Sequence, residues 1–344
     1  MAATALGGWK LAQLKHAAFL SGLPSTGTKA AIIATLEAPT AFVAPRTSGS
    51  RILSVDMGIR NLAYCVVEVH GIKKSPGTLD TARPLTVTEW KKIDLLRSAG
   101  QSPETLPHHK DIKSATVVPE RKTKPRVVNP VPASVFTPAE LSKTAYRVTR
   151  ELLNHKPTAI LIERQRFRSG GAAAIQEWTV RVNMLESMLW ACLQTLRESS
   201  GTRTESFPTT HEVNPARVAA FWTSDSAVEL PTTIEGMASG PTAQVNANAS
   251  ELGRKRVQKK DKIAIVRAWL DDSAPSLTFE GDAAKVAKAF TAPRRKTARA
   301  SPADSEDCLG KLDDLADCLL QAAAWVRWEE NRSVVTTLLR KQDG

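Results

Sequence analysis

The sequence predicts an α/β protein, a mixed sheet flanked by helices, with a small helical module ahead of it. Three observations carry that expectation. Short apolar runs rich in Val, Ile and Leu lie close together at 52–95. Beyond residue 138, segments of helical period alternate with further short apolar runs. A separate helical pattern at 9–38 is cut off from the rest by TAFVAPRTSGS, a Pro/Ser/Gly/Thr stretch that reads as a linker.

In chain order, Ile52–Val55 ends in Asp56 and Gly58 and is followed by Leu62–Val69, a strand, a tight turn and a second strand. Leu85–Leu95 reads as a third strand. Pro138–Asn154 is a helix, because Leu141, Ala145, Val148 and Leu152 recur at helical spacing. Pro157 stops it, and Thr158–Ile162 is a buried strand ending in Glu163. Ala172–Arg197 is a long helix, Thr202–Phe207 a strand, and Pro215–Trp222, Lys259–Leu270 and Leu312–Arg332 are helices. Three strands, a helix, a strand, a helix, a strand and then helices describe a ribonuclease-H-like sheet. Residues 98–138, with seven prolines, and residues 223–253 and 271–307 lack a stable period and read as irregular insertions. The expected division is therefore a module at 1–40, a linker at 41–50 and the sheet domain at 51–332, with no internal repeat.

A length of 344 residues suits about two domains. No apolar run approaches the roughly 20 residues of a membrane span. Cys65, Cys192, Cys308 and Cys318 form no CxxC or Cys/His pattern at zinc spacing, which argues against a disulfide scaffold and a zinc module. Lys and Arg total 47 against 35 Asp and Glu, a surplus of 47 − 35 = 12. That surplus favours a polyanionic partner such as nucleic acid.

Acids stand at three separated places. Asp56 and Glu163 sit at carboxyl ends of strands, where α/β sheets gather ligands and catalytic groups. In LDDLADCLL, Asp313, Asp314 and Asp317 crowd the start of the last helix. At about 100° per residue, Asp317 lies about 40° from Asp313 and about 60° from Asp314, so either pair shares a face. Helix-dipole complementarity accounts for one or two acids in a first turn; three like charges on one face repel. A divalent cation removes the repulsion. Mg²⁺ is held by a few carboxylates plus water and phosphate oxygens, and two such ions about 3.5–4 Å apart clamp both reacting oxygens of a phosphodiester.

VDMGIRNLAYC, IERQRFRSGGAAAIQEWTVRVNMLE and DDLADCLLQAAAWVRW resemble the fungal mitochondrial Holliday-junction resolvases, relatives of bacterial RuvC. The resemblance spans roughly residues 51–330 apart from the insertions. It implies a ribonuclease-H-like fold, a homodimer, a mitochondrial location with the nucleus as the alternative, and Mg²⁺-dependent paired nicks across a four-way DNA junction. Mn²⁺ is an expected substitute. The acidic quartet carried onto this chain is Asp56, Glu163, Asp317 and one of Asp313 or Asp314, with Asp314 favoured by a spacing of three.

Gln165, Arg166 and Arg168 follow Glu163 directly and suit phosphate and base edges. GRKRVQKKDK adds Arg254, Lys255, Arg256, Lys259, Lys260 and Lys262, a grip for junction arms whose strength falls with salt. The long helix carries two apolar stripes. Ile175, Trp178, Val182, Leu185, Leu189, Leu193 and Leu196 form one, and Val180, Met184, Met188 and Ala191 form the other, which a two-fold dimer would bury. At the amino end, Leu11, Leu14 and Ala18, the break at Gly22-Leu23-Pro24, and the helix at Lys29–Leu36 resemble a SAP module. Thr26, Gly27 and Lys29 would then offer N–H groups and a cation to phosphate. The same segment, basic and free of acids up to Glu37, also suits a targeting sequence.

Two other functions fit part of the pattern. Asp56-x-Gly58-x-x-Asn61 resembles the first phosphate loop of actin/hexokinase-type phosphotransferases, and a non-catalytic junction-binding relative would need only the basic residues.

Overall fold

The computed structural model describes residues 5–38, 49–71, 83–95, 133–165, 177–201, 207–224, 257–271, 277–292 and 312–342. Six strands form one sheet: β1 (Ser50–Asp56), β2 (Leu62–Val69), β3 (Leu85–Ile93), β4 (Ala159–Glu163), β5 (Thr209–Val213) and β6 (Leu277–Phe279). The helices are α1 (Leu11–Leu20), α2 (Lys29–Glu37), α3 (Pro138–Asn154), α4 (Glu177–Ser199), α5 (Pro215–Thr223), α6 (Lys259–Asp271), α7 (Gly281–Thr291) and α8 (Leu312–Gln342). The strand order is β5-β4-β1-β2-β3-β6. β1, β2 and β3 are successive antiparallel neighbours, β4 and β5 continue the sheet parallel to β1, and β6 lies parallel to β3. The sheet is the ribonuclease-H-like arrangement that the element order predicts.

The register positions the acids. Val55 on β1 stands opposite Ile162 on the parallel strand β4, so the next residue of each, Asp56 and Glu163, emerges at the same edge. Side chains alternate along each strand, and the sheet therefore feeds two cores. Ala63, Cys65 and Val67 enter one, Leu62, Tyr64 and Val66 the other. α3 and α4 close the second core with Val148, Leu152, Leu185 and Leu189. The start of α3 has a local cause: Thr137 Oγ1 accepts the Glu140 N–H and Pro138 fills the first turn.

α8 runs along the first face, between the sheet and α1, α5 and α6. Leu315, Ala316, Leu319, Leu320, Ala322 and Trp325 are all buried, which places apolar side chains around the whole helix. A helix covered on both flanks is buried on all of them.

The amino-terminal segment belongs to this same core. Leu6, Trp9, Leu14, Leu20, Ile32 and Leu36 are buried in it. The last carbonyls of α1, which a helix leaves without internal partners, are taken up by distant side chains. Asn331 Nδ2 donates to Leu20 O at 2.8 Å and Arg332 Nε to Ser21 O at 2.8 Å. Gly22 turns the chain at φ +68°, and a Cβ there would lie 2.2 Å from the Trp328 ring, so glycine is required.

Two sequence expectations need correction, and a third, the strand at Thr202–Phe207, lies outside the described residues but for Phe207. The strand that follows α4 among the described residues is Thr209–Val213, a polar edge strand with no apolar alternation to announce it. Residues 271–307, expected to be irregular, contain β6 and α7; Ala283, Ala287 and Phe290 do recur at helical spacing, but two of the three are alanines and give a weak signal. α8 continues ten residues beyond the expected end at Arg332. Most of the expected insertions at 98–138 and 223–253, and the linker at 41–48, lie outside the described residues. Among the described residues, no helix is long and apolar enough to cross a membrane, and Cys65, Cys192 and Cys318 are free thiols.

Candidate active site

β1, β4 and α8 bring Asp56, Glu163 and Asp317 together. One carboxylate oxygen from each lies within 4.8 Å of the others, the one such convergence of His, Cys, Asp or Glu side chains among the described residues. Asp56 is only 9% exposed. Burial, followed by the charges of Glu163, Asp317 and Asp314, holds its pKa well above the usual carboxylate range, and Lys262 opposes the shift. Burial also raises Asp317, again against Lys262. Such a set is electrostatically costly unless a cation joins it.

α6 supplies two cations. Lys262 Nζ lies 2.6 Å from Asp317 Oδ1, and Lys259 pairs with Asp313. The two lysines are three residues apart, so one helix face presents both. Lys259 thus stands at the acids, whereas the sequence reading placed it among the residues gripping DNA arms. The doubled aspartate is also separated: Asp313 is buried and paired to Lys259, while Asp314 acts electrostatically on Asp56.

Gln321, one helical turn after Asp317, is 2% exposed and joins all three elements. Its Nε2 donates to Ser54 Oγ at 3.0 Å, and to Val55 O and Leu161 O at 3.4 Å each. Gln165 ties the two strand ends from outside: its Nε2 donates to Met57 O at 3.4 Å and its backbone N–H to Glu186 Oε2 at 3.3 Å. Gly58 makes the turn that follows Asp56; a Cβ there would lie 2.9 Å from Asn61 O. The tight turn therefore accounts for Gly58 without a phosphate loop.

Of the other sequence-predicted residues, Lys260 is exposed on α6. Lys29 begins α2 and donates from Nζ to Gly7 O at 2.7 Å. Arg166, Arg168, Arg254, Lys255 and Arg256 lie outside the described residues. Sequence reasoning missed Gln321 and the place of Lys259 and Lys262. The spacing of the two lysines was the available signal for the latter; for Gln321 there was none.

A family model described as mitochondrial resolvase Ydc2 / RNA splicing MRS1 matches residues 52–335. The chain is 26% identical over 320 residues to the mitochondrial cruciform cutting endonuclease 1 of Schizosaccharomyces pombe, covering 93% of this chain and 92% of that one. It is 23% identical over 350 residues to the protein of the same name from Saccharomyces cerevisiae, covering 97% and 86%. The crystal structure of the yeast mitochondrial Holliday junction resolvase Ydc2 aligns with a TM-score of 0.53 at 22% identity, over 97% of this chain and 99% of that one, which supports the fold.

Proposed function

Because the chain belongs to the mitochondrial resolvase Ydc2 / RNA splicing MRS1 family, we propose that it is a structure-selective endonuclease that resolves four-way DNA junctions in the mitochondrion. The observation that carries this reading is the convergence of Asp56, Glu163 and Asp317 from three separate elements. The family description spans a resolvase and a splicing protein. A protein that only binds RNA gains nothing from buried carboxylates that repel one another, whereas a phosphodiesterase needs them.

The donor set is all oxygen and fits a hard divalent cation, Mg²⁺ with Mn²⁺ as substitute. Bound there, such ions supply activation of the attacking water and stabilisation of the leaving 3′-oxygen. Asp56, Glu163 and Asp317 hold the ions, and Asp314 is the fourth acid, because its charge reaches Asp56 while Lys259 engages Asp313. Gln321 fixes the relative positions of β1, β4 and α8. Lys262, freed from Asp317, leaves an ammonium group beside the scissile phosphate. Gln165, Arg166 and Arg168 hold the cut strand. Arg254, Lys255, Arg256 and Lys260 grip the arms, and Lys29 at the start of α2 adds a phosphate contact. Two such sites in a homodimer, joined through the α4 stripe that begins at the exposed Val180, give paired nicks.

Incubation with Mg²⁺ and labelled substrates tests the reading. Paired nicks confined to a four-way junction, with linear duplex left intact, are expected. Binding of junction or RNA without any cutting contradicts it.

A further inference from the structure

Trp178, in the first turn of α4, is 41% exposed, one of four large apolar side chains that the described residues leave open to solvent. It stands in a group of rings and cations. Arg60 Cζ lies 6.0 Å from its ring centroid, and the Phe136 ring meets it edge-on at 5.8 Å. Arg181 Cζ in turn covers Phe136 at 3.8 Å. Two guanidinium groups and two aromatic rings therefore make one platform.

Its position ties it to the acids. Arg60 lies four residues beyond Asp56, so at about 3.3–3.6 Å per residue it is at most about 14 Å away along the chain. α4 is the helix that follows Glu163. Arg60 thus ties the platform to the turn that follows Asp56.

A nucleobase matches this chemistry. Every base has a planar π face that stacks on indole, and the Arg60 guanidinium by the ring attracts the attached phosphate, whereas Glu177 already pairs with Arg181. Burying the same face under an apolar partner would desolvate Arg60, for which the described residues supply no ion-pair partner. Linear duplex has no free π face to offer, while the branch point of a junction interrupts stacking. We propose that Trp178, backed by Phe136 and flanked by Arg60 and Arg181, is a stacking platform for a base released from the stack at the branch point of the DNA substrate. The inference rests on the junction-nuclease reading and adds the site that discriminates the branch point from plain duplex.

The test is fluorescence anisotropy of the full chain with a labelled four-way junction and with a linear duplex of the same arm sequence, without divalent ions so that nothing is cut. Trp178→Ala and Trp178→Leu should each weaken junction binding about tenfold, the loss expected of one base–aromatic stack, and leave duplex binding within about twofold. Trp178→Phe should restore most of the affinity. The platform is refuted if junction and duplex weaken together, if Leu serves as well as Phe, or if the Ala and Leu variants sediment as a smaller oligomer than the unsubstituted protein. A wild-type chain with no preference for the junction defeats the nuclease reading itself, whereas wild-type preference with indifferent variants defeats the platform alone.

Discussion

Asp56 illustrates how the site trades stability for chemistry. Its raised pKa means that the folded protein holds a proton that the unfolded chain has already released. Between the ordinary carboxylate range and the raised folded value, stability therefore falls as pH rises. Asp56→Asn removes that cost, and each kcal/mol regained moves the melting midpoint by roughly 2–4 °C in domains of about this size. The variant should melt higher at neutral pH, keep junction binding, and lose more cutting than the roughly 10–100-fold that removing an outer-shell partner costs. An unchanged midpoint in calorimetry would count against an unrelieved charge at Asp56. The aspartate pair separates by the same logic: Asp314→Asn should abolish Mn²⁺ binding in titration calorimetry, and Asp313→Asn should leave it nearly intact. Lys262 competes with the ion for Asp317, so Lys262→Met should tighten Mn²⁺ binding several-fold while Lys260→Met does not. Asp56 and Glu163 were legible in the sequence because each ends an apolar strand. The lysines offered only their own three-residue spacing, since an ion pair between residues 55 apart leaves no mark on which acid each one meets.

At the scale of elements, legibility followed how one-sided the burial is. α3 has a buried stripe of Leu141, Ala145, Val148 and Leu152 with a Thr-Pro start, and its limits were read to the residue. β5 is a polar edge strand and α7 presents mostly alanine to the core, so neither stood out. α8 is the element on which the site depends, because Asp317 rides on it and Gln321 ties it to β1 and β4. Gln321→Leu would leave buried acceptors on both strands unmet, costing about 1–3 kcal/mol. Its expected result is a melting midpoint several degrees lower together with weaker Mn²⁺ binding. A stable variant with unaltered metal affinity would mean that packing alone positions α8.

For the whole molecule, the amino-terminal segment changes status. Read from sequence as a separate DNA-binding module, it shares its core with the sheet domain and is held by Arg217, Asn331 and Arg332. No local signal could disclose this, because the partners lie about 200–300 residues away. Each large apolar side chain in that contact contributes about 1.5–3 kcal/mol. Deletion of residues 1–38 should therefore lower the stability of the remaining domain, seen as an earlier thermal transition or as insolubility, and with it the cutting. A truncated protein that melts and cuts like the full chain would restore the picture of an independent module.

The central claim is that three carboxylates from distant parts of the chain share a divalent ion. Anomalous diffraction from crystals grown with Mn²⁺ tests it most directly. The account predicts a manganese peak bonded to oxygens of Asp56, Glu163 and Asp317, with Lys262 withdrawn from Asp317; a peak elsewhere, or an ordered site in which Lys262 still holds Asp317 and no manganese binds, would contradict it.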